Sequence, residues 1–273
     1  MLSFTLNGQP QNVEVDPRLS TLDLLREHLG ISSLKAGCAP QGLCGCCLVL
    51  INGQPRLSCT LPNKSLAGKE VQTQEGISED KRNLLASCFA SCSATACGYC
   101  TPGILTHASA LLTTKPELTE EELKKSLNLH LCRCTGYSSI VDAVQQAAAV
   151  LRGEAEAPRL SESALDAPRG EKIFVDDLVV PGMLAGVLVF PPAGLGKIRR
   201  LDSAAIRAEA GVLAVVELRR EGDLLEWPGE PVLAIAAVDG ATAQKAAAKA
   251  VVEIEPLTSQ EPTLRHRARR VEG

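Results

Sequence analysis

The 273-residue sequence lacks several features that would class it at once. Its opening, MLSFTLNGQPQNVEV, has no basic start and no apolar stretch behind it, so no secretory signal is read there. No window holds the run of about 20 apolar residues that a membrane-spanning helix needs. A basic excess is missing too. Lys and Arg number 28 against 32 Asp and Glu, and a net charge of −4 leaves no electrostatic footprint for nucleic acid. The expectation is a cytoplasmic chain with no membrane span and no nucleic-acid partner. A hydrophobic share of 45% and a charged share of 22% are those of a globular protein with a real core. The length suits about two domains, or three small ones.

Thiol, by contrast, is abundant and unevenly placed. The eleven cysteines all lie between Cys38 and Cys134, and four fall in the loop GCAPQGLCGCC at 37–47. A secreted disulfide scaffold is usually short, with an even cysteine count. This chain has neither feature, and in a reducing compartment clustered thiols are more often metal ligands. Zinc and iron–sulfur become the main readings, with disulfides a minor one.

Patterning divides the chain. Phe4-Thr5-Leu6 and Val13-Glu14-Val15 read as strands flanking an Asn7-Gly8 turn. Ser20 is placed to cap a helix that carries Leu22, Leu25 and Leu29 and ends at Gly30. After the cysteine loop come a strand at Leu48–Ile51, an Asn52-Gly53 turn and a strand at Arg56–Cys59. From residue 78 the period turns helical, predicting helices over 79–92, 102–113, 120–130 and 139–152. Thr119 with Glu122 forms a capping box, Ser139 with Asp142 a weaker one, Pro102 suits a first turn and Gly153 a stop. Residues 154–170 are polar and aperiodic, a linker. Beyond it, Glu230–Val238, an Ala-rich helix at Ala241–Ala250 and Val251–Glu255 read as a strand–helix–strand unit and imply an α/β layer.

The cysteines form two constellations. Cys38, Cys44, Cys47 and Cys59 approach the plant-type ferredoxin spacing C-x4-C-x2-C with a distant fourth cysteine, except that the first gap is five residues. Gly42 and Gly45 permit the positive φ that turns successive N–H groups toward an anionic cluster. A zinc ribbon would favour two CxxC knuckles on tight turns instead. The second set pairs Cys97-Gly98-Tyr99-Cys100 with Cys132-Arg133-Cys134, in the helical region. Taken alone it would also suit zinc. Two different four-thiolate sets, one near plant-type, are better explained by paired iron–sulfur clusters.

CGYCTPG with CRCTGY, behind a plant-type cluster loop, resembles the iron–sulfur region of the molybdenum hydroxylases, the xanthine dehydrogenase and aldehyde oxidoreductase family. The resemblance implies an α+β fold in parts: a β-grasp 2Fe-2S ferredoxin domain at 1–76 and a four-helix 2Fe-2S-binding domain at 77–153. The linker at 154–170 follows, then an α/β-hammerhead domain at 171–260 and a basic C-terminal tail at 261–273. The hammerhead likeness rests on Gly170–Val175, Pro181–Leu184, Ile198–Asp202 and Gly229–Leu257.

By motif, the family implies two [2Fe–2S] clusters. Cys97, Cys100, Cys132 and Cys134 would hold the pterin-proximal one, and Cys38, Cys44, Cys47 and Cys59 the exit one. Cys134 is the candidate for electron intake, and no catalytic residue is expected in this chain. The implied partner is a chain that binds the molybdenum–pterin cofactor, with a flavin subunit (FAD) or another acceptor as outlet. Three departures bear on this. The Cys38–Cys44 loop is one residue long for the family. Ala96 stands where the family has a pterin-holding Gln, a contact then absent or supplied by another chain. The sequence also closes at Arg269–Gly273, where the family continues into large pterin-binding domains. The expectation is an electron-transfer subunit of a molybdenum oxidoreductase, inactive as a hydroxylase by itself. The alternatives are an assembly scaffold or a free-standing carrier.

Other residues have plainer readings. Cys46 is expected to point away from the cluster, and Cys88 and Cys92, four apart on one helix, to pack in the core. His28, His107, His130 and His266 show no ligand spacing, although His130 adjoins Cys132. Tyr137 reads as a packing and hydrogen-bonding residue, and Trp227 as a loop-packing residue with an interface role as the alternative.

Overall fold

The computed structural model describes residues 1–256 apart from Arg18, Ala39, Ala193 and Pro228. The basic tail, His266 and the last positions of the 171–260 segment lie outside the described residues. The chain divides into two compact units, Met1–Leu178 and Val179–Gly273.

In the first unit, Asn7 and Gly8 both adopt positive φ, 51° and 79°, and close a two-residue turn. That turn sets Leu6 opposite Gln9, so β1 (Leu2–Leu6) pairs antiparallel with β2 (Gln9–Val13). The pattern had placed the second strand at Val13–Val15. Pairing begins at the turn, however, and reaches only as far as Val13, which lies opposite Leu2 at the start of β1. Asn52 and Gly53 repeat the device between β3 (Leu48–Ile51) and β4 (Gln54–Leu57). With β5 (Glu70–Gln72) the sheet order is β2-β1-β5-β3-β4, parallel only where β5 meets β1. Across it lies α1 (Thr21–Asp23), capped reciprocally by Ser20 and Asp23 and running into a wider π turn at Leu24–His28. Leu22, Leu24 and Leu25 pack with Phe4, Leu6, Val49 and Val71, and this core also takes in Cys47 and Cys59.

Four helices follow: α2 (Glu79–Ser91), α3 (Thr101–Thr114), α4 (Glu120–Leu127) and α5 (Tyr137–Leu151). The Thr119–Glu122 capping box forms, and Pro102 sits in the first turn of α3. α4 ends three residues short of expectation, and the next residues turn toward the cysteine loop, where the Leu131 N–H donates to the Cys44 carbonyl at 3.0 Å. α5 starts at Tyr137, two residues early, after a turn made by Thr135 at φ 59°; its N-cap is Gly136, and the Ser139 box does not cap it. Leu85, Phe89, Ile104, Leu105 and Val144 form a second core with Cys44, Cys46, Cys88, Cys100 and Cys132. Each large apolar side chain buried there contributes about 1.5–3 kcal/mol. One cysteine loop therefore feeds two cores, Cys44 into the helical one and Cys47 into that of the sheet.

The second unit comprises β6 (Ala185–Val189), β7 (Gly196–Asp202), α6 (Ala204–Arg207), β8 (Val212–Glu217), β9 (Leu224–Leu225), β10 (Leu233–Ala237), α7 (Gly240–Ala247) and β11 (Val251–Pro256). Two three-stranded antiparallel sheets form, β6-β10-β8 and β11-β7-β9. The expected strand–helix–strand unit is thus not one layer. β6 and β8 occupy both edges of β10, so β11 pairs with β7 in the other sheet. Trp227 does not pack into its loop: 66% of it is exposed, and its backbone N–H donates to Glu230 at 2.9 Å. Among the described residues no helix is long and apolar enough to cross a membrane.

Candidate metal centres

The cysteine loop is shaped by two glycines in the left-handed region, Gly42 at φ 67° and Gly45 at φ 70°. A Cβ on Gly42 would meet Thr60 Cγ2 at 2.8 Å, and one on Gly45 would meet His130 Nδ1 at 2.4 Å and the Leu129 carbonyl at 2.6 Å. Both positions thus require glycine for conformation and for space. The loop so formed turns its N–H groups inward. The Leu43 N–H donates to the Cys38 sulfur at 3.4 Å, and the Cys44 and Gly42 N–H groups favour its thiolate electrostatically, as Gly42 does for Cys59. Cys59 enters from the 3-10 turn Ser58–Thr60 after β4, and Ser58 Oγ donates to the Cys47 carbonyl at 2.7 Å.

Within this set the thiols meet in twos. The Cys38 thiol interacts with that of Cys44, and the Cys59 thiol with that of Cys47. Burial tends to raise the Cys38 thiol, but the Leu43 N–H, the Cys44 thiol and the other N–H donors outweigh it and hold Cys38 below its ordinary value. Burial pushes Cys59 up to about 12, with Cys47 adding to the effect.

The second set shows the same pairing. Cys97 precedes α3 and its thiol interacts with that of Cys134; Cys100 is the N-cap of α3 and its thiol interacts with that of Cys132. The Tyr99 N–H donates to Cys97 Sγ at 3.5 Å, and the Cys132 N–H to Tyr137 Oη at 2.9 Å. Cys97 and Cys134 are exposed, Cys100 and Cys132 buried. Burial pushes Cys100 up to about 12, while the Cys97 N–H, followed by the Cys97 thiol, lowers Cys134. All eleven cysteines are free thiols. Among the described residues no group of three or more His, Cys, Asp or Glu is arranged to hold one metal ion.

Two features were missed from sequence. The first is the burial of Cys46, which is 3% exposed and shares the helical core with Cys44 and Cys100. The second is the returning segment 171–178. Its Asp177 pairs with buried Lys35 and, at 2.8 Å, with Arg26; Phe174 packs edge-on to Tyr99 with ring centroids 5.2 Å apart; and Lys172 Nζ donates to the Cys97 carbonyl at 2.9 Å. A lone lysine or aspartate in sequence carries no signal of such a partner. Cys88 is fully buried, as expected of a packing cysteine, and His107 and His130 form a buried pair with Nδ1 and Nε2 3.0 Å apart.

Comparison with known proteins bears on both sets. Residues 4–73 match the family model of the 2Fe-2S iron-sulfur cluster binding domain, and residues 73–145 that of the [2Fe-2S] binding domain. The small FeS subunit of nicotinate dehydrogenase from Eubacterium barkeri is 42% identical over 147 residues, covering 54% of this chain and 93% of that one. The aldehyde oxidoreductase of Desulfovibrio desulfuricans superposes with a TM-score of 0.76 at 26% identity, over 94% of this chain and 34% of that chain. Quinoline 2-oxidoreductase of Pseudomonas putida 86 matches with a TM-score of 0.51 at 39% identity, over 56% of this chain and 97% of that one. This chain therefore spans nearly all of the nicotinate dehydrogenase small FeS subunit and of the quinoline 2-oxidoreductase chain, and about a third of the aldehyde oxidoreductase. With both cluster-domain models matched end to end and such identity to an entire iron–sulfur subunit, the chain belongs to the molybdenum hydroxylase family, as a bearer of its iron–sulfur region.

Proposed function

We propose that this chain carries electrons, within a molybdenum-dependent oxidoreductase, from a pterin-bound molybdenum on a partner chain to an acceptor. A [2Fe–2S] cluster in each cysteine set would supply a one-electron way station. The observation that carries this reading is the pairing of the thiols, Cys38 with Cys44, Cys47 with Cys59, Cys97 with Cys134 and Cys100 with Cys132. A two-iron cluster with four thiolates takes two on each iron, so thiols in twos suit it, where a structural zinc site takes four around one point. The N–H groups that Gly42 and Gly45 turn toward sulfur provide the donors an anionic cluster needs.

Exposure orders the path. Cys134 and Cys97 face solvent and are the intake side; Cys100 and Cys132 lie inside, sharing a core with Cys44; half-buried Cys38 stands at the outlet. A flavin subunit is one form the acceptor would take. In this reading residues 1–76 are a β-grasp ferredoxin domain, 77–153 a four-helix cluster domain, 154–170 a linker and 171–260 an α/β-hammerhead that completes the fold of the partner.

Metal analysis of the tagged chain, drawn gently from its host, tests the proposal. About four iron atoms per chain are expected, with molybdenum and a larger chain co-purifying. A colourless, zinc-loaded chain overturns it.

A further inference from the structure

Lys172 holds an ammonium against a cysteine of the second set, and among the described residues no carboxylate pairs with it. Its Nζ donates to the Cys97 carbonyl at 2.9 Å and lies 5.4 Å from the centre of the Phe174 ring. The segment that bears it is fixed on both sides. A Cβ on Gly170 would meet Gln74 Oε1 at 2.6 Å and Pro102 Cγ at 3.3 Å, so the chain lies close on the first turn of α3. Beyond Lys172, the Phe174 ring packs edge-on to Tyr99, and the Phe174 N–H donates to Asp177, itself paired with Lys35. Between these anchors the lysine stem runs along the CGYC backbone: a Cβ on Gly98 would lie 3.7 Å from Lys172 Cδ and 3.2 Å from Ala167 Cβ. The acid that reaches the same loop, Asp176, is 3.4 Å from Tyr99 Oη and 3.6 Å from the Arg26 guanidinium, which offsets its charge. The first set has no counterpart to Lys172. Among the described residues no lysine or arginine side chain hydrogen-bonds Cys38, Cys44, Cys47 or Cys59, and Lys35, two residues before Gly37, is neutralised by Asp177.

We propose that Lys172 tunes the pterin-proximal centre, its charge raising that centre's reduction potential relative to the exit centre and so drawing the electron into this chain on the intake side. The inference rests on the electron-transfer reading above. A side chain bonded to the backbone of a ligand residue acts from behind the ligand, and such outer partners tune a metal centre. Net charge around a cluster is one of the levers that set its potential. One-electron reduction of the centre forms and breaks no bond: the pterin-bound molybdenum of the partner is oxidised, the centre gains one negative charge, and a fixed cation at Cys97 favours that form. Lys172 is exposed, so water and salt screen the effect. The carbonyl and the aromatic ring nevertheless hold the ammonium in one place, where a free lysine would wander. The charge is bonded to the second set and to no residue of the first, and this asymmetry separates the two potentials.

The test is a redox titration of the full chain with its co-purifying partner, followed by electron paramagnetic resonance, for wild type, Lys172→Met, Lys172→Gln and Lys172→Arg. The inner signal is identified as the one altered or lost in Cys100→Ser. At low salt, Lys172→Met and Lys172→Gln, which lose the charge, should lower the inner potential and shift the sharing of the first electron about two- to fivefold toward the exit centre, the order an exposed charge supplies. Lys172→Arg, which keeps the charge, should hold the wild-type sharing. At about 1 M salt the difference between wild type and the neutral variants should largely vanish through screening, a response that a change of loop shape would not give. An inner potential unmoved or raised in the neutral variants overturns the proposal, as does an equal shift at both centres. So does a shift in Lys172→Arg as large as in Lys172→Met, or a difference indifferent to salt. If Lys172→Met loses iron, Lys172→Gln against Lys172→Arg decides by the same readings; loss of iron from both neutral variants makes Lys172 structural and overturns the proposal. A wild-type chain without two such signals would instead overturn the electron-transfer reading itself.

Discussion

Lys35 and Asp177 form an ion pair across 142 positions of sequence, with 1% and 4% of their side chains exposed. Arg26 joins the carboxylate at 2.8 Å, the Phe174 N–H donates to it at 2.9 Å, and the Lys35 ammonium lies 4.9 Å from the centre of the Phe174 ring. Burial works against the Asp177 charge, but Lys35, the Phe174 N–H and Arg26 more than offset it, holding the carboxyl below its ordinary value. Lys35 stands two residues before Gly37, so the pair ties the returning segment to the root of the cysteine loop. Removing one partner strands a buried charge. Asp177→Ala should therefore cost about 3–5 kcal/mol, read as a lowered denaturation midpoint, whereas a Lys35→Met/Asp177→Leu double variant should recover most of it. A midpoint unchanged in Asp177→Ala would show the pair to be idle.

Acid should weaken the fold well before it protonates Asp177. Burial, and then the neighbouring His107, pushes His130 down to about 3, and burial lowers His107. Unfolded imidazoles titrate near 6.5. Below that value the unfolded chain binds more protons than the folded one, so the contribution is complete above about 6.5 and is lost as pH falls toward 3. Thermal midpoints should decline between pH 7 and pH 5, and His107→Leu should flatten that slope. An identical slope in the variant would rule the pair out as its source.

Gly45 and Gly53 make a matched comparison. Both have positive φ, 70° and 75°, but a Cβ on Gly53 meets nothing within 4 Å. Gly53→Ala should cost only the conformational strain of roughly 1–2 kcal/mol and leave iron content intact. Gly45→Ala adds a clash with His130 and the Leu129 carbonyl, so it should part the 129–131 segment from the loop and lower iron per chain. Equal iron in the two variants would mean the contact is dispensable.

Thiol reactivity of the iron-free chain should follow exposure and charge. Cys134 is exposed, its thiol lowered by the Cys97 N–H and thiol and, more weakly, by Arg133; Cys88 is fully buried and pushed up to about 12. Thiolate character and access set alkylation rates. Mass mapping after brief alkylation should find Cys134 labelled early and Cys88 last. Labelling of Cys88 alongside Cys134 would contradict the buried position.

Elements with local causes were legible in the sequence. The Asn7-Gly8 and Asn52-Gly53 turns, the Thr119–Glu122 cap and the Gly42 and Gly45 bends each follow from a few adjacent residues, and the family resemblance rested on such short spacings. What escaped depends on residues far apart. The end of α4 answers to a bond with Cys44, the pairing of β11 to the filled edges of β10, and the burial of Lys35 to an aspartate 142 positions away. The burial of Cys46 escaped as well, because it packs with helix residues such as Cys100 that lie far along the sequence.

The approach of α3 to the cysteine loop has a last consequence. A Cβ on Gly103 would lie 2.3 Å from the Gly45 carbonyl, so helix backbone rests on loop backbone with no side chain between. Main chain serves here as a ruler. On the proposed electron path, side-chain substitutions elsewhere would remodel the surfaces that greet donors and acceptors and leave this backbone spacing unchanged, so partners would change over evolution without retuning the internal hop.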